Sequence, residues 1–543
     1  MAKTTNATVA IIGGGPHALA VLTALHERSY ATPQFRDDAA YALRVGFNSH
    51  KLVGTVAVID PGERFCEMWD KRFLALGINK LRSPLFAHPD AYDDHALLDY
   101  AIKTERTDEI SHPKGAEISR ENIQRSAMGF GFELHGQPSA ALFKDFCAHL
   151  AERHPHTWVK EKAAAVTKDG KDGKYTVTCE GGSAVVADAV VIATGPQGPW
   201  NVPKPFAPFV GSPAVVHTAE LFAAGFSLAE AVTARTEHLP QGSKVLVIGG
   251  GLTAAQAALA AARGGFSVVM RSRDSLRTRD YDVETEWLDR RSANRKRFEF
   301  LQTPLEDRPK FLRDAVGGGS LPLSYLDELI EMATNSDTLK LEVDSGMEKW
   351  DVSAAEGTDG VVVNGKRFEL VILATGIALN PASTPLYEQV RDMFPTPFMG
   401  GFPELDDSLR WSEEEDIFVV GCNAGLQLGP GALNLMGAMR SGQLVAESLH
   451  RRMWKDIRPH KNKLEHNIFS VLAMDDSDDS DDSDDPDDSD GDEGTRLAAC
   501  DTDEGVSSGG EDLCGTPQKG VLGVTSGGRR PAAAAAAAAV PAH

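Results

Sequence analysis

Residues 9–22, VAIIGGGPHALAVL, and residues 245–259, VLVIGGGLTAAQAAL, each carry an apolar run that breaks into three glycines and resumes as an alanine-rich helix. Runs this short are not membrane spans, and they read as buried strands entering helices through tight turns. Gly13, Gly15 and Ala18 occupy the G-x-G-x-x-G/A positions of the first copy, and Gly249, Gly251 and Ala254 those of the second. The first glycine permits the turn, the second lets a diphosphate approach the backbone, and the small third residue lets helix pack on strand. The helix that follows aims free N–H groups at the anion. Pro16 and His17 open the first helix and Thr253 stands in the first turn of the second, so all three are candidate contacts.

The surroundings of the two copies strengthen the pattern, since a lone βαβ unit that binds nothing looks similar. A second β-rich run, TVAVID, ends in Asp60, a carboxylate placed to accept hydrogen bonds from a ribose. It lies 45 residues beyond Gly15, where about 20 is usual; an insertion at 31–51 accounts for the excess. In the second copy the equivalent strand end is Arg271, 20 residues past Gly251, with Arg273 nearby. Cations there suit the 2′-phosphate of NADP, although a solvated strand end has the same composition. ADAVVIATGP (187–196) and ELVILATGI (369–377) are buried strands turning at Ala-Thr-Gly, one before and one after the second glycine turn. Thr194, Gly195, Thr375 and Gly376 are therefore further candidate contacts.

These features predict an α/β chain with two Rossmann-like three-layer dinucleotide-binding domains, the second nested within the first. The expected boundaries are 1–204 and 379–460 for the outer domain and 205–378 for the inner one, with a helical insert at about 280–340. That insert, containing DVETEWLDRRSANRKRF and VGGGSLPLSYL, reads equally as a substrate-facing lid or a solvated helical excursion.

Composition narrows the function classes. Residues 475–543 hold 18 acidic and 4 basic side chains, so 14 of the 23 net negative charges sit in the tail and the body carries −9. A mildly acidic body offers no basic footprint for nucleic acid. The tail, 470–543, is too charged and too poor in large apolar groups to pack, and predicts disorder; its acid-flanked serines are either phosphorylation or protein-binding sites, or the run is a solubilising appendage. The six cysteines are scattered with no C-x-x-C, which predicts neither a zinc site nor a paired-thiol redox centre. No metal site is expected. The absence of an apolar span or leader-like start predicts a cytoplasmic protein, a nuclear one being compatible, with no membrane partner.

The order GxGxxA, ATG, GxGxxA, ATG resembles the flavoproteins with two dinucleotide-binding domains. Over residues 7–455 the chain is most similar to flavin-dependent monooxygenases of the N-hydroxylating, lysine and ornithine hydroxylase-like branch. Three segments carry the finer match. FCEMWDKRFLALGINKLRSPLFAHPD is similar to the region where that branch sets a Trp beside the flavin, which implies Trp69 at the ring and Arg82 and Ser83 near ring or substrate. FVGSPAVVHTAELF resembles the family's F-x-G-x-x-x-H linker with two extra residues before His217, so a capping or packed role for this histidine stays open. DIFVVGCNAGLQLGPGALNLMGAMRSGQLVAESL resembles the return to the FAD domain, with a strand at 417–420, a glycine-rich turn and a helix starting near Leu433. By that likeness Gly421, Gln427, Leu428, Gly429 and Pro430 would contact the flavin.

The resemblance implies FAD at the first turn and NADPH at the second. It implies reduction of the flavin by NADPH, reaction with molecular oxygen to a C4a-hydroperoxyflavin, and transfer of one oxygen atom to a small nucleophile such as an amine. No triad, G-x-S-x-G elbow or H-E-x-x-H helix competes with that reading, and no single catalytic residue is assigned. The alternatives are an FAD/NAD(P)H diaphorase or oxidase without oxygen transfer, and a non-enzymatic sensor of cofactor state.

Overall fold

The computed structural model describes residues 3–27, 54–112, 135–170, 173–196, 198–223, 228–288, 290–356 and 360–453. The insertion at 31–51 and the acidic tail at 470–543 lie outside them. Strand β1 (Val9–Ile12) runs through the first glycine turn into helix α1 (Pro16–His26). Strand β2 (Val56–Ile59), helix α2 (Glu67–Ala75), strand β3 (Thr157–Val159) and strand β4 (Ala189–Ile192) follow. The chain then makes β5 (Val215–His217), β6 (Lys244–Ile248), α3 (Leu252–Arg263) and β7 (Ser267–Ser272). Helices α4 (Arg290–Gln302), α5 (Arg308–Val316) and α6 (Leu323–Asn335) precede β8 (Leu339–Val343) and β9 (Leu370–Leu373). It returns as β10 (Ile417–Val419) and α7 (Leu435–Met453).

Two parallel five-stranded sheets result, ordered β10-β4-β1-β2-β3 and β5-β9-β6-β7-β8. They match position for position. The glycine-turn strand is central, the Ala-Thr-Gly strand lies on one side of it, and the strand leading to Asp60 or Arg271 lies on the other. Every strand of the second sheet falls between β4 and β10, so one unit is nested in the other. A three-stranded antiparallel meander also precedes each Ala-Thr-Gly strand, at 163–187 and at 352–368.

Strands β1, β2, β4 and β9 are buried at every residue, as parallel strands covered on both faces must be. In β6 the alternation divides the work. Val245 and Val247 pack on the alanines of α3, while Leu246 and Ile248 pack on the side of Trp350 and Phe368. Part of the helical insert packs on the return segment. The buried ring of Phe300 lies 3.3 Å from where a Cβ on Gly429 would stand, and Arg308 Nη1 donates to the Leu426 carbonyl at 2.9 Å. Helices α4 and α5 thereby cover the segment that returns to the first sheet. Among the described residues no helix is long and apolar enough to cross a membrane.

Helices α1 and α7 press together at Gly442, where an added Cβ would stand 2.5 Å from the carbonyl oxygen of Ala20. In an exposed helix Gly→Ala stabilises by about 0.5–1 kcal/mol. Here the obstacle is backbone and cannot rotate away, so Gly442→Ala is expected to cost about 1–3 kcal/mol net. Chemical denaturation measures it, and a variant as stable as the wild type would contradict the packing.

Candidate functional site

The two glycine turns are built alike. The positive φ of Gly13 (112°) and of Gly249 (151°) brings each against the crossing strand: a Cβ at either would stand 2.4 Å from a carbonyl oxygen, of Ala193 in one case and Ala374 in the other. Gly13 N–H donates to Ile59 and Gly249 N–H to Arg271, both at 2.9 Å. Ala18 and Ala254 are fully buried, and Ala254 Cβ is 3.0 Å from the position of a Cβ on Gly249, which requires the small third residue. Helices α1 and α3 begin at Gly15 and Gly251, neither of which supplies a side-chain cap. Above Gly15 no heavy atom lies within 4 Å of the Cβ position, leaving a bare cradle beside the free helix N–H groups, as a diphosphate requires. Asp60 reaches this turn despite its sequence distance: its carboxylate accepts from Gly14 N–H at 2.8 Å and from Gly62 N–H at 2.7 Å. These residues fit the adenosine diphosphate half of FAD.

A cleft of about 1830 Å³ opens along the second turn and is lined by Gly249, Gly251, Thr253, Thr375 and Gly376, with Arg82 and Arg273 in its wall. It exceeds the roughly 300–1,000 Å³ of a site for one small ligand. Asn201 clamps the second Ala-Thr-Gly turn: its N–H donates to the Gly376 carbonyl at 2.9 Å, and Thr375 Oγ1 donates to its carbonyl. Trp200 stacks on His217 at 5.1 Å, and His217 Nδ1 accepts from Ala219 N–H at 3.1 Å. The histidine therefore caps the short helix Thr218–Ala223 from the cleft wall, and burial holds its pKa down.

Several sequence expectations are redistributed. Of the two arginines, Arg271 does not reach the cleft: its side chain is 7% exposed, bonds Glu342 at 2.5 Å and lies 4.7 Å from the Trp350 ring. Its strand position points it inward against β8 and Trp350. Arg273, two residues on and 70% exposed, stands in the cleft wall. Trp69 turns away too. Met68, Lys71, Arg72 and Ala75 form the cleft face of α2, while Trp69 packs on Phe73 at 5.2 Å and Phe143 at 5.8 Å. Helical spacing puts these two sets on different faces. Ser83 is buried and lines no part of the cleft, whereas Arg82 does.

The return segment is a chain of single turns rather than an open glycine loop: Gly421–Ala424, Gly425–Leu428 and Gly429–Leu433. Gln427 Nε2 donates to the Leu405 carbonyl at 2.6 Å, and Leu428 and Pro430 are buried. Gly421 and Gly429 have positive φ and offer backbone only. Two residues escaped the sequence reading. Asn423, fully buried, donates through Nδ2 to the Gly195 carbonyl and to Tyr387 Oη, both at 3.0 Å, tying the first Ala-Thr-Gly turn to the return. The Thr194–Gly195 turn thus sits between Gly13 and Asn423. A lone Asn and a distant Tyr carry no motif.

His17 ring atoms lie 3.4 Å from where a Cβ on Gly421 would stand, and its Nε2–H donates to the Ala432 carbonyl at 3.2 Å. Burial lowers its pKa from 6.5 to about 4, against a smaller opposing effect of that hydrogen bond. The unfolded chain therefore takes up this proton first. Stability from this group is complete above pH 6.5 and is lost as pH falls toward 4. His17→Asn, which keeps a donor, is expected to flatten the fall in unfolding free energy in that window by up to about 1.4 kcal/mol per pH unit. Urea titrations at a series of pH values read this, and an unchanged slope would contradict it.

The sequence profile of the pyridine nucleotide-disulphide oxidoreductase family matches residues 113–299. Comparison with curated proteins finds no match. Among solved structures, the ornithine N-hydroxylase of Kutzneria sp. 744 is 14% identical with a TM-score of 0.56, covering 82% of this chain and 100% of its own. The L-lysine 6-monooxygenase of Pseudomonas syringae is 13% identical with a TM-score of 0.56, covering 82% and 99%. The cadaverine monooxygenase of Erwinia amylovora, solved with FAD, is 14% identical with a TM-score of 0.54, covering 82% and 95%. The chain is therefore similar in fold to the flavin monooxygenases that hydroxylate amine nitrogens, one dinucleotide-binding unit nested inside another.

Proposed function

We propose that the protein is an NADPH-dependent FAD monooxygenase acting with molecular oxygen on a small nucleophile, an amine or a related group. The observation that carries this reading is the equivalence of the two glycine turns: each lies so close to its own Ala-Thr-Gly turn that an added Cβ would stand 2.4 Å from the carbonyl oxygen, and each opens a helix with no side-chain cap. One chain that builds the same cradle twice has two dinucleotides to hold. We assign FAD to the outer unit, 1–204 and 379–460, and NADPH to the inner unit, 205–378.

FAD, when bound, supplies hydride acceptance and oxygen activation. The chain's own residues do the rest. Asp60 holds the adenosine ribose, and the N–H groups at the start of α1 hold the diphosphate. Thr194, Gly195 and the backbone of Gly421–Pro430 line the approach to the ring. Arg273 takes the 2′-phosphate, and Thr253, Thr375 and Gly376 flank the second nucleotide.

Purified protein incubated with FAD is expected to stay yellow after desalting, and to consume oxygen with NADPH. With catalase present and a panel of small amines offered, hydroxylated product identifies the oxygenase. Peroxide without product identifies an oxidase, and a colourless protein would sink the assignment altogether. Asp60→Ala is expected to weaken FAD retention by about tenfold or more, the loss of a charged hydrogen-bond acceptor. Arg273→Ala is expected to raise the KM for NADPH about tenfold and leave that for NADH unchanged. Arg271→Ala instead lowers thermal stability; a selective NADPH defect in that variant would reverse the assignment of the two arginines.

A further inference from the structure

The two cradles differ at one point. Above Gly15 the space is open, but above Gly251 lies the chain itself: Gly319 Cα stands 3.3 Å from the position of a Cβ on Gly251. Reciprocally, a Cβ on Gly319 would stand 2.7 Å from both N and Cα of Gly251. Ser320 then offers its carbonyl oxygen to Leu252 N–H at 3.2 Å. Leu252 is the first residue of α3, and its N–H belongs to the set that a diphosphate at this turn would take. A phosphate oxygen and the Ser320 carbonyl cannot both occupy that N–H, and their negative charges repel.

The loop is built for this seat. Gly317 and Gly318 have φ of 62° and 85°, open to glycine at little cost, and Gly319 meets backbone too closely for any side chain. Its own attachments are polar, between α5, whose Arg313 carbonyl accepts from Gly317 N–H at 2.9 Å, and the buried anchor Leu321. Arg277 donates to the Gly317 carbonyl. Arg82 reaches across from the outer unit and donates to the Ser320 carbonyl at 3.3 Å and to Ser320 Oγ at 3.0 Å. Apolar side chains, which would make the seat permanent, are absent from Gly317–Ser320.

We infer that Gly317–Ser320 is a lid over the second nucleotide site, its Ser320 carbonyl standing in for a phosphate oxygen at α3 until NADP(H) displaces it. The inference rests on the reading that the second turn binds NADP(H). Lifting the lid frees the guanidinium N–H groups that Arg82 spends on Ser320, in the wall of the same cleft. Nucleotide arrival and the charge presented to the cleft are thereby coupled. Because only the lifted form accepts the diphosphate, the apparent affinity is the intrinsic affinity reduced by the lifted fraction.

Hydrogen–deuterium exchange on the full-length, FAD-loaded protein tests this directly. On adding NADP⁺, peptides covering Gly317–Ser320 are expected to exchange faster while those covering the start of α3 are protected. A loop that becomes more protected, or does not change, while NADP⁺ binds would overturn the lid alone. Gly319→Ala, which cannot take the seat, is expected to bind NADP⁺ about three- to tenfold more tightly by calorimetry; equal or weaker binding would also overturn it. Should that variant fail to fold, the exchange experiment decides by itself. Failure of the wild type to bind NADP⁺ at all would overturn the assignment of the second turn, and the lid with it.

Discussion

In each half of the molecule a glycine lies against the carbonyl of an Ala-Thr-Gly turn, Gly13 at Ala193 and Gly249 at Ala374. That approach draws the ends of two neighbouring parallel strands together, so the helix after the glycines starts beside the crossing chain. Asp60 then reaches the turn before α1, while Arg273 stands in the wall of the cleft beside the turn before α3. A methyl group at either first glycine would strike a backbone oxygen. The rest of the site is arranged around these two contacts.

Cations given to backbone carbonyls join the halves, beside apolar contacts such as those of Tyr281 and Leu288 with the outer core. Arg82, from the outer unit, bonds the carbonyls of Arg279, Tyr281 and Ser320 and pairs with Asp282 at 3.6 Å. Burial lowers its pKa and Asp282 opposes that shift. Arg308, from the insert, bonds the carbonyls of Thr303, Leu301 and Leu426. A planar guanidinium offering five donors serves such seats, where a lysine would leave acceptors unmet. Hydrogen bonds of this kind can be exchanged for others, which suits a cleft whose contents change during a catalytic cycle.

Much of this was legible in the chain. The glycine turns, the echoing Ala-Thr-Gly strands and the order of the two predict nested α/β units, because glycine at a positive-φ turn and unbroken Val/Ile runs are local demands that do not await the fold. Asp60 was legible at the wrong distance, since strand position and not residue count places it beside Gly14. The helix near Leu433 begins at Leu435, its N–H groups capped by Asn434.

What the sequence by itself determined is the pair of cradles and the kind of ligand they suit, because those follow from backbone freedom and helix N–H groups within a few residues. Only the tertiary structure decided which side chains face them. Spacing after the glycine made Arg271 the reader, yet within β7 it faces Trp350 and Glu342, while Arg273, past the strand's end at Ser272, stands in the cleft. Likeness put Trp69 at the ring, while α2 presents Met68 to the cleft and packs the half-buried indole against Phe143. Nothing local announces that Gly319 will rest on Gly251 or that Asn423 will bridge Gly195 and Tyr387. Such contacts join segments tens to hundreds of residues apart, and only packing selects which of many equally polar groups meet.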